Sequence, residues 1–183
     1  SQATYLKDYR PPNFFIDRTD LEFDLFKDKT TVNAHLTLRR NTAVNDAPEL
    51  ILAGENLYLV SVAINGVIQP DANYQVNHQQ LVISSPPDQF TLSIVTEIDP
   101  ANNLSLEGLY LSDGMYCTQC EAQGFRRITY YLDRPDVLSI FTTKINADLD
   151  HYPVLLSNGN LDGQGRQDGG RHWVKWSDPF KKP

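Results

Sequence analysis

Between residues 31 and 40 apolar and polar side chains alternate without a break. Val32, Ala34, Leu36 and Leu38 fall on one side, and Asn33, His35, Thr37 and Arg39 on the other. A period of two cannot be laid on a helix, whose faces repeat every three to four residues, so this is a strand with one buried and one solvated face. The same alternation marks residues 20–26, with Leu21, Phe23 and Leu25 inward and Glu22 and Asp24 outward. The short polar stretch 27–30 between them predicts an antiparallel hairpin.

The pattern continues along the chain. Apolar runs at 49–53 and 57–64 are separated by Gly54-Glu55-Asn56, and Asn65-Gly66 is a tight-turn dipeptide that reverses the chain into 67–69. Residues 74–76, 80–84 and 90–98 read as strands, with breaks at Pro86-Pro87 and Asp99-Pro100. Residues 109–111 and 115–119 form another pair across Ser112-Asp113-Gly114. Residues 137–147, 154–157 and 171–177 complete the set, and the Gly-, Asn- and Asp-rich stretch 158–170 reads as a mobile hairpin loop. The expected fold is mostly β, a curved antiparallel or mixed β-sandwich. Its single short helix lies near 125–131, ending before Arg134-Pro135.

A chain of 183 residues can bury roughly 70% of its unfolded surface in one core without staples. One domain spanning 1–183 is expected. A formal charge of −7 argues against the basic surface that a nucleic acid or an anionic membrane requires. No run approaches the roughly 20 apolar residues of a membrane span, and the start SQATYLKDYRPP lacks the architecture of a secretory signal. The expected location is therefore cytoplasmic. The chain stops at Asp178-Pro179-Phe180-Lys181-Lys182-Pro183, directly after a strand, and reads as cut rather than finished.

Alternation does not account for residues 116–136, YCTQCEAQGFRRITYYLDRPD. Cys117 and Cys120 have C-x-x-C spacing, but a structural zinc site needs four ligands and no second pair exists, so both read as small buried hydrophobes. On a single strand they would point to opposite faces. Gln119 and Glu121, two apart, would share a face, where an amide oxygen and a carboxylate can together accept hydrogen bonds from one ammonium group. From spacing alone the plainer account is that the pair faces solvent, or that Glu121 bridges to Arg126 or Arg127. Arg126, Arg127, Asp133, Arg134 and Asp136 read as an ion-pair network holding the turn, and Tyr130 and Tyr131 as packing residues with hydroxyl anchors.

A catalytic zinc site commonly uses two histidines one helical turn apart. His35, His78, His151 and His172 are scattered through strands and loops and read as surface or packing residues. There is no G-x-S-x-G turn, phosphate loop or dinucleotide fingerprint. No catalytic residue and no metal ligand is assigned in this chain.

The string TQCEAQGFRRITYYLDRPDV, preceded by LEGLYLSDGMYC and followed by LLSNGN and GRHWVKWSDPF, resembles the amino-terminal domain of bacterial M1 zinc metallopeptidases. The likeness runs from DYRPPNF to the last residue. It implies a parent aminopeptidase of several domains, in which this one is packed on a thermolysin-like catalytic domain that carries the zinc. In that family the glutamine and glutamate of TQCEA hold the free amino terminus of the peptide substrate. The matching positions are Gln119 and Glu121, which reverses the preference drawn from spacing. The family's zinc-binding helix and Gly-x-Met-x-Asn motif have no counterpart in this chain, so no cofactor is expected here and zinc is expected in the parent.

Two other readings compete. A freestanding β-sandwich interaction module would keep the fold without the chemistry, and the C-x-x-C pair could serve a redox role. A domain parted from its parent would expose the face that met the catalytic domain, and self-association through that face would be unsurprising.

Overall fold

The computed structural model describes residues 5–44 and 49–183. In chain order its strands are β1 (Phe14–Leu25), β2 (Thr30–Arg40), β3 (Glu49–Ala53), β4 (Tyr58–Ile64), β5 (Val67–Ile68), β6 (Tyr74–Val76) and β7 (Gln80–Ser84). They continue with β8 (Gln89–Ile98), β9 (Gly108–Ser112), β10 (Met115–Gln119), β11 (Ser139–Asp148), β12 (Asn160–Gln167) and β13 (Arg171–Lys182). Eight form one mixed sheet in the order β12-β13-β11-β1-β2-β8-β4-β5. A three-stranded sheet, β3-β7-β6, and the β9–β10 hairpin complete the domain. No helix among the described residues is long and apolar enough to cross a membrane.

The core follows from the alternation. Leu36, Leu38, Phe90, Leu92 and Ile94 on the large sheet are buried in one cluster with Leu50 and Leu52 of β3 and Leu81 and Ile83 of β7. Each such side chain contributes on the order of 1.5–3 kcal/mol. In β1 the buried positions run Phe14, Ile16, then Thr19, Leu21, Phe23 and Leu25. The change of phase coincides with a β-bulge between Ile16 and Arg18, where one extra residue restores the inward face. The bulge hides the first half of β1 from a strict period-two reading. It also turns Thr19 inward, where its hydroxyl is shared with Tyr131 Oη and Ser139 Oγ, each at 2.9 Å.

β1 pairs antiparallel with β2 and parallel with β11, Arg18 facing Ile140 and Asp24 facing Asn146. On the polar face of this parallel pair, Glu22 accepts hydrogen bonds from Lys144 Nζ at 2.8 Å and Asn146 Nδ2 at 2.9 Å. At the turns, Asn65 and Gly66 have φ of 49° and 79°, and Asp113 and Gly114 have 47° and 78°. Both pairs lie in the left-handed region that two-residue hairpins demand.

The mixed, mostly-β sandwich expected from the sequence forms, with three local differences. The helix near 125–131 is reduced to a 3-10 turn at Phe125–Arg127, because the Tyr131 backbone pairs instead with Ala53 through N–H···O bonds of 2.9 and 3.0 Å. Three further 3-10 turns lie at Leu6–Asp8, Asp71–Asn73 and Pro100–Asn102. Residues 154–157 form no strand. Leu155 is buried while Val154 and Leu156 are exposed, but the segment joins no ladder and is held by Trp176 Nε1 donating to the Leu155 carbonyl at 3.1 Å. Finally, most of the expected loop 158–170 is strand β12, paired to β13. A Cβ on Gly165 would stand 2.7 Å from Trp173 Nε1, and one on Gly163 3.3 Å from the same ring. Glycine here lets the indole lie across the strand.

Candidate functional site

The β9–β10 hairpin is the local scaffold of the site. Its last register pair is Gln119 opposite Gly108. The strand ends there, so Glu121 and Cys120 lie just beyond it rather than on it. Gly124 N–H donates to the Cys120 carbonyl at 2.8 Å, closing a tight turn that presents Glu121, Ala122 and Gln123 to solvent. The Glu121–Ala122 peptide is cis and Gln123 has φ of 77°. The same-face reading of Gln119 and Glu121 is thus replaced by a turn, and the two are coupled differently. Gln119 Nε2 donates to the Glu121 backbone carbonyl at 2.9 Å.

That bond orients the amide. With one of its two N–H donors bonded to the backbone, the Gln119 amide is fixed in orientation, and its oxygen is the acceptor it can offer. The Glu121 carboxylate is exposed and makes no ion pair among the described residues. The bridge to Arg126 or Arg127 that spacing allowed does not form, because both arginines are committed elsewhere. Arg126 Nε donates to Asp133 at 2.9 Å, and Arg127 reaches Glu55 at 2.6 Å and Glu107 at 3.1 Å. Arg134 pairs with Asp136 at 2.7 Å and donates to the Arg10 carbonyl. Hydrogen bonding to Arg134, followed by that from Tyr9, holds the Asp136 carboxyl below the usual range against the opposing effect of burial. The expected network forms only in part: Arg126–Asp133 and Arg134–Asp136 are separate pairs, and Arg127 pairs outside the segment.

The thiols do not form a disulfide. Burial, with a smaller contribution from the Asp133 charge, pushes the Cys120 thiol up to about 11, opposite to the low value a redox-active cysteine needs. Tyr131 is buried with its hydroxyl on Thr19, and Tyr130 packs on Gly54, where no Cβ could fit. His35 bonds to Ser93 Oγ and His151 to Asp148, both at 2.8 Å, while the buried His172 donates from Nε2 to the Tyr152 carbonyl at 2.7 Å. His78 is exposed. Among the described residues no three His, Cys, Asp or Glu side chains come together to hold a metal.

Tyr116 and Thr118 of β10, with Cys120 just past its end, line an apolar groove of about 530 Å³ with Leu21, Phe23 and Phe141. An apolar hollow thus lies against the hairpin, with Cys120, next to Glu121 in the chain, among its lining residues. Nothing in the sequence's periodicity signals the groove, which depends on how the hairpin folds over the large sheet.

The Peptidase M1 N-terminal domain family matches residues 15–183. The chain is 56% identical to aminopeptidase N of Escherichia coli (strain K12) over 182 residues, all of this chain and 20% of that protein. Legionella pneumophila aminopeptidase A, solved in complex with aspartic acid, superposes with a TM-score of 0.93 at 35% identity, over 98% of this chain and 21% of that one. An M1 zinc metallopeptidase from Deinococcus radiodurans shares the fold at a TM-score of 0.77 and 14% identity, over 93% of this chain and 40% of that one. The chain thus spans about a fifth of the length of the curated relatives it matches. Fold, sequence and coverage agree that this chain belongs to the M1 peptidase N-terminal domain family.

Proposed function

We propose that this domain forms one wall of the substrate cleft of a zinc-dependent aminopeptidase and holds the free amino terminus of a peptide through Glu121 and Gln119. The observation that carries the reading is the exposed Glu121 carboxylate, left without an ion pair among the described residues while both neighbouring arginines are engaged elsewhere. A primary ammonium has three donors. The Glu121 carboxylate and the Gln119 amide oxygen offer acceptors on one turn, with the amide already oriented by its bond to the backbone. Charge-assisted hydrogen bonds of this kind are worth about 1.5–3 kcal/mol each.

A zinc ion is implied by the family, but the side chains of this domain do not fit one, since no cluster of ligands converges among the described residues. No bond-breaking step is therefore assigned here. Zinc and the general base belong to a catalytic domain beyond this chain. The role of this wall is to fix the distance from the amino terminus to the scissile bond, which makes cleavage exopeptidic. The apolar groove beside β10 and the exposed Met115, Val154 and Leu156 support packing against that domain, and self-association when the domain is alone.

The test is Glu121→Ala in the enzyme that carries this domain, with an amino-acid anilide as substrate. KM should rise about tenfold to a hundredfold, and kcat/KM should fall with it. Unchanged kinetics would remove Glu121 from the site. The 183-residue chain alone should show neither aminopeptidase activity nor stoichiometric zinc.

A further inference from the structure

We propose that Arg127 is the positioning residue for the amine anchor, clamping the base of the β9–β10 hairpin so that Gln119 and Glu121 are presented in one fixed arrangement. The proposal rests on the ammonium-binding reading of those two residues.

Three parts of the chain meet at this guanidinium. Its Nη2 reaches Glu55, in the turn between β3 and β4, at 2.6 Å. Its Nε reaches Glu107, at the entry to β9, at 3.1 Å. The side chain is only 14% exposed although both glutamates are about half exposed, at 44% and 49%, so the arginine is the inner member of the triad. A planar guanidinium can serve two carboxylates in different directions, as a lysine ammonium on a single flexible stem does less well.

What the clamp holds is the end of the hairpin that carries the anchor. Gly108, next to Glu107, is the register partner of Gln119. It has φ of 71°, and a Cβ there would stand 2.7 Å from Arg127 Cβ and 3.2 Å from the Gly124 carbonyl oxygen. Gly124 in turn leaves no room for a Cβ, which would meet the Gln119 carbonyl oxygen and Gly108 N at 2.4 and 3.1 Å. Arg127 N–H donates to the Gly124 carbonyl at 3.1 Å. Arg127, Gly108, Gly124 and Gln119 are therefore stacked in direct contact, and a shift at the first passes to the last. Arg126 lies one residue away but serves a different purpose, since its partner Asp133 is within its own loop.

The experiment is a double-mutant cycle in the enzyme that carries this domain, reading kcat and KM for an amino-acid anilide with Arg127→Met, Arg127→Lys, Glu121→Gln and the Arg127→Met/Glu121→Gln pair. Arg127→Met should raise KM roughly tenfold, with kcat held within about twofold. Arg127→Lys should fall between it and the unchanged enzyme, and the pair should be no worse than Glu121→Gln alone. Should Arg127→Met fail to fold, Glu107→Gln and Arg127→Lys carry the test and should raise KM about threefold. An unchanged KM in the Arg127 variants beside a raised KM in Glu121→Gln overturns the positioning role alone. A loss that adds in full to that of Glu121→Gln does the same. An unchanged KM in Glu121→Gln overturns the ammonium reading, and this proposal with it.

Discussion

Gly124 packs so tightly against Gln119 that a Cβ on the glycine would stand 2.4 Å from the Gln119 carbonyl oxygen. The obstacle is backbone rather than the end of a flexible side chain, so relief requires the turn itself to move. Gly124→Ala should cost about 1–3 kcal/mol of stability, read by urea denaturation of this chain. In the enzyme that carries this domain the same substitution should raise KM, because the displaced atoms belong to the candidate anchor. A Gly124→Ala variant with unchanged denaturation midpoint would show that the contact is looser than it stands here.

Tyr131 links the central segment to β1 through its bond to Thr19. Thr19 keeps Ser139 when that bond is lost, so Tyr131→Phe should cost only about 1 kcal/mol. Its effect at high pH should be more distinctive. Burial pushes the Tyr131 phenol from 10.0 up to about 12, against the lowering effect of its hydroxyl partners. Between those values the unfolded chain releases a proton that the folded chain retains, so stability falls as pH rises. The slope is at most about 1.4 kcal/mol per pH unit. Tyr131→Phe should remove this share of the alkaline loss, measured as denaturation midpoints from pH 9 upward.

Cys120 should be slow to alkylate. With its thiol held up at about 11 instead of 9.0, the thiolate population at pH 8 is about a hundredfold below that of the unfolded chain. Iodoacetamide followed by peptide mapping should show Cys120 modified far more slowly than in urea. Equal rates would revive a reactive role for the C-x-x-C pair.

Gly165→Val should detach β12. The contact of 2.7 Å to Trp173 Nε1 leaves no space for a branched side chain, and overpacking of this kind costs about 1–3 kcal/mol. Trp173 fluorescence should shift towards that of an exposed indole. An unaltered spectrum and midpoint would show that the ring can move aside at no cost.

Much of this fold is legible wherever the alternation is clean, as in β2, where each inward residue from Val32 to Leu38 is buried. Legibility fails where a long-range partner decides. The bulge in β1 breaks the period without leaving the sheet, and the helical reading past Gly124 yields to bonds between Tyr131 and Ala53, which are 78 positions apart by the difference of their numbers. The glycines of β12 suggest a loop until Trp173 is laid over them. At the candidate site the sequence identifies Gln119 and Glu121 but misplaces their relation, since the strand stops between them. It also assigns Arg127 to a local network, because Glu55 and Glu107 are neighbours only in space.

The parallel union of β1 with β11 joins the beginning of the domain to a strand more than a hundred residues later, Arg18 against Ile140. During synthesis, β1 and β2 can form their hairpin early, but the other edge of β1 must wait until the whole intervening length has left the ribosome. Until then a row of backbone donors and acceptors stands open to any other strand. Interrupting the chain anywhere before residue 139 would leave that edge permanently unsatisfied and its products prone to aggregate.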